Sequence, residues 1–139
     1  MSASTGPREA RKKAGKLISY AMGAVQINKG TLVFVRQADG NVYPARATST
    51  NTDLFVGVAF ETVNNSTGTA GQATIKVEKE GDYVFAIAAA TNTNMSQPVY
   101  ALDDQTLTLT SGTTVVPVGY VVEIVDSTDV RIRIDRAVQ

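Results

Sequence analysis

Residues 72–88 read QATIKVEKEGDYVFAIA, and the fold class follows from this stretch. Over 72–79 apolar and polar residues alternate strictly, with Ile75 and Val77 on one side and Lys76 and Glu78 on the other. A period of two marks a half-buried strand, because successive side chains leave a pleated backbone on opposite faces. Glu80-Gly81-Asp82 turns the chain, Asp and Gly both favouring turn geometry. YVFAIA at 83–88 is apolar enough for a core strand. Towards the N-terminus, LFVGVAFETV at 54–63 alternates again, with Gly57 placed for a bulge or a close backbone approach. TLVFVR at 31–36 and NVYPAR at 41–46 flank Asp39-Gly40-Asn41, a hairpin signal. Pro44 cannot donate to a ladder and so assigns the second of these to an edge or a bulge. Towards the C-terminus, PVYAL at 98–102 and TLTLT at 106–110 flank Asp103-Asp104-Gln105. VVPVGYVVEIV at 115–125 turns through Asp126-Ser127-Thr128-Asp129 into VRIRI at 130–134. Polar stretches at 47–53, 64–71, 89–96 and 111–114 read as loops, that at 64–71 as a mobile one. About eight to ten short strands with hairpin-length turns predict an all-β fold, a compact barrel or sandwich. Alternation alone does not separate the two.

Composition agrees. The chain has 139 residues, enough for one domain with its own core. Its 17 Thr and 18 Val suit a pleated surface. It has no His, no Cys and no Trp. Disulfides, thiolate nucleophiles and Cys/His zinc sites are therefore excluded. So are a Ser–His–Asp triad and an imidazole base. No run approaches the ~18 apolar residues of a membrane span. No secretory leader is apparent, so synthesis in the cytoplasm is expected.

Charge divides the chain in two. Residues 1–16 carry Arg8, Arg11, Lys12, Lys13 and Lys16 against Glu9, a local net of +4. The remainder carries a net of −4, so the formal total is zero. Residues 1–23 read as an extended basic N-terminal arm and residues 24–139 as the β-domain. Pro7 and Gly15 would fit the two ends of a short helix over 8–16, one too poor in apolar residues to be stable alone. Arg8, Arg11, Lys12, Lys13 and Lys16 are the candidate contact residues, directed at a neighbouring acidic protein surface.

Other constellations read as structure. Asp103-Asp104 and Asp126/Asp129 lack the spacing of a calcium loop and fit turns that Asp closes on its own backbone. Glu78, Glu80 and Asp82 fit a solvated strand end better than a catalytic pair. No glycine pattern makes a phosphate loop. Asn64-Asn65-Ser66 and Asn94-Met95-Ser96 match a glycosylation pattern that no leader supports. Arg131, Arg133 and Arg136 sit on an acidic body, which argues against nucleic acid. The five tyrosines read as core or interface residues. No metal, cofactor, membrane or small-molecule substrate is expected, and the chain is not expected to be an enzyme.

The order of segments carries a further signal. GTLVF at 30–34 precedes LFVGVA at 54–59, then AGQATIKV at 70–77 and EGDYVF at 80–85. QPVY at 97–100, QTLT at 105–108, VGYVVE at 118–123 and DVRIRI at 129–134 follow. This succession resembles the capsid cement, or head decoration, proteins of tailed bacteriophages, over residues 30–134. The resemblance implies a structural virion protein on the outer surface of an expanded capsid. It implies a homo-oligomer, a trimer at local threefold positions, clamping neighbouring major capsid proteins against the pressure of packaged DNA. It implies no catalytic residues. A tail, connector or fibre-base component of the virion is the alternative the same β-domain allows. A nucleic-acid module acting through the arm is a further rival.

Overall fold

The computed structural model describes residues 16–46, 53–112 and 115–134. The chain is nearly all β, with 53% in strands. Twelve strands lie among the described residues. They are β1 (Leu17–Ala21), β2 (Gln26–Ile27), β3 (Leu32–Arg36), β4 (Val42–Pro44), β5 (Asp53–Ala59) and β6 (Val63–Asn64). Then come β7 (Thr74–Glu78), β8 (Asp82–Ile87), β9 (Pro98–Ala101), β10 (Thr106–Thr108), β11 (Val116–Ile124) and β12 (Asp129–Arg133). A single 3-10 turn, Asn92–Asn94, interrupts them.

Two β-layers result. The first is a five-stranded sheet in the order β1-β7-β5-β3-β4. It curls until the residue after β1 reaches the far edge, where Met22 bridges Val42 and Gly23 N–H donates to the Val42 carbonyl at 3.0 Å. The second is a closed barrel, β10-β8-β12-β11-β9. Between barrel and sandwich, the barrel reading holds for the C-terminal half. The two-residue strands β2 and β6 pair with each other.

Each layer has its own core. Met22, Ile27, Val33, Val42, Val56, Ala59, Ile75 and Val77 fill the curl of the first sheet. The other face of its central strands packs on the barrel interior. There Leu32, Phe34, Phe55 and Val58 join Phe85, Ile87, Val99, Leu107, Val121, Val130 and Ile132. Phe34 meets Phe55 edge to face at 6.4 Å between centroids.

The expected turns form as their chemistry dictates. Asp39 Oδ1 accepts from Asn41 N–H, Asp103 Oδ1 from Gln105 N–H, and Asp126 Oδ1 from Thr128 N–H, all at 2.8–2.9 Å. Each is an aspartate satisfying the backbone two residues on. They close the hairpins β3–β4, β9–β10 and β11–β12. Tyr43 OH donates to Asp39 Oδ2 at 2.6 Å, and the Arg36 guanidinium stacks 3.7 Å from the Tyr43 ring. The Tyr43 hydrogen bond, with that of Asn41, holds the Asp39 carboxyl below its ordinary range. Pro44 lies on the edge strand, as its missing N–H requires.

Three readings change. The boundary expected between 23 and 24 does not fall there: β1 pairs with β7 from Leu17↔Glu78 to Ala21↔Thr74, and Met22 is fully buried. Leu17–Ala21 follows a basic stretch, but Ile18 and Tyr20 alternate with Ser19 and supply one side of the sheet. Asp53, read as loop, begins β5 and is buried, with Arg46 Nη2 at 3.5 Å. The stretch 64–71 is pinned rather than mobile, because buried Asn65 donates through Nδ2 to the carbonyls of Gly23 and Thr69 at 3.1 and 3.0 Å. The rest of the arm, residues 1–15, and residues 47–52 lie outside the described residues.

Gly57 performs both roles the sequence allowed. The β3–β5 register slips between Val33 and Phe34, a bulge that accommodates one extra residue on β5. Its φ is +148°, and a Cβ there would collide with the Glu78 carbonyl oxygen on β7. Gly57→Ala is expected to cost about 3 kcal/mol, from backbone strain and collision together. Gly40→Ala, at φ +74° with nothing within 4 Å, is expected to cost about 1 kcal/mol. Urea unfolding of both variants checks the difference.

Candidate functional site

Of the five candidate contact residues, Arg8, Arg11, Lys12 and Lys13 lie outside the described residues. Lys16 is described, exposed, and anchored: its carbonyl accepts from Lys79 N–H at 2.8 Å, extending the β1–β7 ladder by one pair. The basic segment therefore enters the fold at the first residue of an edge strand.

The register defines what that edge offers. Lys16 and Lys79 form a hydrogen-bonded pair at one end, and Met22 N–H donates to the Ala73 carbonyl at the other. Bonding alternates along an antiparallel pair, so the even-numbered residues of β1 bond to β7. The N–H and C=O groups of Leu17, Ser19 and Ala21 point away from β7. At the Ala21 end β4 closes on that side, where Met22 bridges Val42 and Gly23 N–H donates to the Val42 carbonyl. Among the described residues no strand pairs beside Leu17 and Ser19, so two outward residue positions are available for pairing with another chain.

The sheet face beside this edge is partly apolar. Leu17, Glu78 and Val58 share one row across β1, β7 and β5. Phe60 N–H donates to the Lys76 carbonyl at 2.9 Å, so Ser19, Lys76 and Phe60 share the next. Val58 is buried against the barrel, whereas Leu17 is 39% exposed and Phe60 46%. Two large apolar side chains, with Glu78 and Lys76 on the strand between them, therefore stand in solvent beside an open strand edge.

Charges around the edge are fixed. Lys79 is almost wholly buried, and its Nζ donates to Tyr20 OH at 2.8 Å. Tyr83 OH donates to Glu78 Oε2 at 2.7 Å. Burial first, and this hydrogen bond second, raise the Tyr83 pKa well above the ordinary tyrosine value. Asp82 is engaged by Arg133, whose hydrogen bonds lower its carboxyl pKa. Glu78 and Asp82 are thus committed to different partners. Arg131 and Arg133 stand on the barrel exterior, each facing a carboxylate, Glu123 and Asp82. Arg136 lies outside the described residues. Among the described residues, no group of three or more acidic side chains is placed to hold a metal ion. Nor, among the described residues, is any helix long and apolar enough to cross a membrane.

The sequence pointed to Lys16 but missed the strand it begins. The available signal was the alternation of Ile18 and Tyr20, which the neighbouring charges obscured. No protein family, curated protein or solved structure matches the chain.

A raised tyrosine pKa has a definite sign. The stability Tyr83 contributes is fully present below the unfolded value near 10 and is lost as pH rises through the higher folded value. In an alkaline titration followed by tyrosinate absorbance, Tyr83 is expected to ionise late. Tyr43, raised through its bond to Asp39, is expected to do the same. Tyr83→Phe should remove one late phase and flatten the fall in unfolding midpoint above about pH 10.

Proposed function

We propose that the chain is a non-enzymatic structural protein of a tailed-phage virion. It binds the outer surface of the capsid and cements neighbouring major capsid subunits. The observation that carries this reading is the continuity of a +4 segment with the open edge of β1. Such a segment reaches across a neighbour, and the edge and the Leu17/Phe60 face give it a rigid footing. The segment order resembling head decoration proteins supports the same reading.

The physics of cementing asks for little chemistry. Each copy needs only modest contacts, because symmetry and copy number multiply them. It needs a body that does not yield, and here two cores stiffen two β-layers. It needs no cofactor. Arg8, Arg11, Lys12, Lys13 and Lys16 engage acidic groups on the major capsid protein or a sibling subunit, within a homo-oligomer that the resemblance makes a trimer. Ordering the arm costs conformational entropy, so its contacts must exceed that cost to add strength.

The test is co-sedimentation of the purified chain with empty expanded capsids of its own phage. The full chain should pellet with the shells in stoichiometric amount. A variant lacking residues 1–15 should fold with the same circular dichroism yet bind about tenfold more weakly or worse, since several exposed ion pairs are lost at every copy. Raising salt should narrow the gap between the two, because exposed pairs are screened. Equal occupancy by both forms would overturn the role of the arm. Failure of the full chain to bind shells, with rings or tubes formed instead, would move the protein to the tail or connector.

A further inference from the structure

The exterior of the barrel carries an arrangement that the shell contact does not use. Side chains alternate in and out along β8, β12 and β11, and the registers set the outward ones side by side. Asp82 lies opposite Arg133, which lies opposite Tyr120. Val84 lies opposite Arg131, which lies opposite Glu123. Ala86 lies opposite Asp129, whose carbonyl accepts from Val125 N–H at 3.1 Å. The inward neighbours Phe85, Val121, Val130 and Ile132 are buried. The outward Val84, Val125 and Tyr120 are 56%, 50% and 38% exposed.

The charges among these apolar residues are already matched. Arg133 Nε and Nη2 donate to the two Asp82 oxygens at 2.9 and 3.1 Å. Arg131 Nη1 stands 3.6 Å from Glu123 Oε1. Arginine and tyrosine set among exposed aliphatic side chains is the composition of a protein contact. Charges paired within one face enter such a contact without an orphaned ion.

The sign pattern selects the occupant. An acidic partner meets Asp82, Glu123 and Asp129 as like charges, and a basic partner meets Arg131 and Arg133. In a second copy of the same surface, Arg131 and Glu123 face their own counterparts as pairs already neutralised within each chain, while the two ends of β12 meet opposite charge. Along β12 the outward residues run Asp129, Arg131, Arg133, acidic at one end and basic at the other. Laid antiparallel on its own copy about a two-fold axis at Arg131, the strand sets Asp129 of each copy towards Arg133 of the other. The two Arg131 side chains at the axis each keep their own Glu123. The formal net charge of the whole chain is zero, so no long-range repulsion opposes the approach.

We propose that the outer surface of β8, β12 and β11 is a two-fold contact between copies of this chain. Val84, Val125 and Tyr120 are its apolar part, and the Asp129 and Arg133 ends of β12 set its register. The contact goes beyond the shell-binding reading and stands without it: it pairs copies through the barrel, away from β1 and the arm.

Sedimentation equilibrium of the full chain over a concentration series tests it. The wild-type chain should show a reversible association that includes a dimerising step. Val84→Asp and Val125→Asp should each weaken that step at least tenfold while leaving the thermal unfolding midpoint in place, since both side chains already face solvent. Phe60→Asp, on the other layer, should leave it unchanged. Because the chain has no cysteine, Arg131→Cys provides an independent reading. Mild oxidation should link its copies into disulfide pairs, and Lys29→Cys should give none. A wild-type chain that stays monomeric, or Val84→Asp and Val125→Asp variants that associate as tightly as wild type, would overturn the proposal. So would Arg131→Cys pairs no more abundant than those of Lys29→Cys. A variant lacking residues 1–15 that still dimerises but no longer binds shells would support the contact and separate it from the arm.

Discussion

The fold depends on two strands that are buried on both faces. β3 and β5 give Leu32, Phe34, Phe55 and Val58 to the barrel-side core and Val33, Val56 and Ala59 to the core of the curled sheet. A fully buried side chain of this size contributes about 1.5–3 kcal/mol, and these strands contribute on both sides at once. Burying both faces leaves no polar side to relieve crowding. The slack is taken up at one residue, Gly57, which lets β5 bulge and lets the β7 backbone approach more closely than any side chain would permit. That approach sets where β7 lies, and β7 in turn carries β1 and the root of the basic segment.

The sequence shows the strands well because local physics fixes them. Ile75/Val77 against Lys76/Glu78 is unambiguous at a period of two, and three aspartate turns were readable because each aspartate bonds to its own backbone. What it hides is set by distant partners. Nothing local to Ala86 or Thr106 announces that β8 and β10 run parallel, or that this pairing closes the barrel. The two-residue strands β2 and β6 are too short to show a period. β1 is hidden differently: its alternation is present, but the charges before it marked the segment as arm. Of the candidate site only Lys16 was both named in advance and placed, while Leu17 and Phe60 become neighbours only through the β1–β7–β5 register.

Several charged groups among the described residues hold the fold together. Asp39 closes a hairpin, Asp82 holds Arg133, Glu78 accepts from Tyr83, and buried Lys79 is satisfied by Tyr20. Groups so committed hold neighbouring strands and turns at fixed spacings. They fix the surface that another protein would meet.

The treatment of strand edges bears on that surface most directly. An exposed edge invites unwanted pairing, and folds usually blunt it with proline, an inward charge, a bulge or a cover. This chain does so elsewhere. The barrel closes and has no edge, β4 ends at Pro44, and Met22 and Gly23 cover part of its flank. β1 has none of these devices at Leu17 and Ser19. Its one guard is Lys16 at the entrance, and there the charge belongs to a longer run of like charge. Among the described residues, the edge of β1 at Leu17 and Ser19 therefore stays open beside the exposed side chains of Leu17 and Phe60. On the function proposed above, the charge leading into that edge favours an acidic protein surface as its partner.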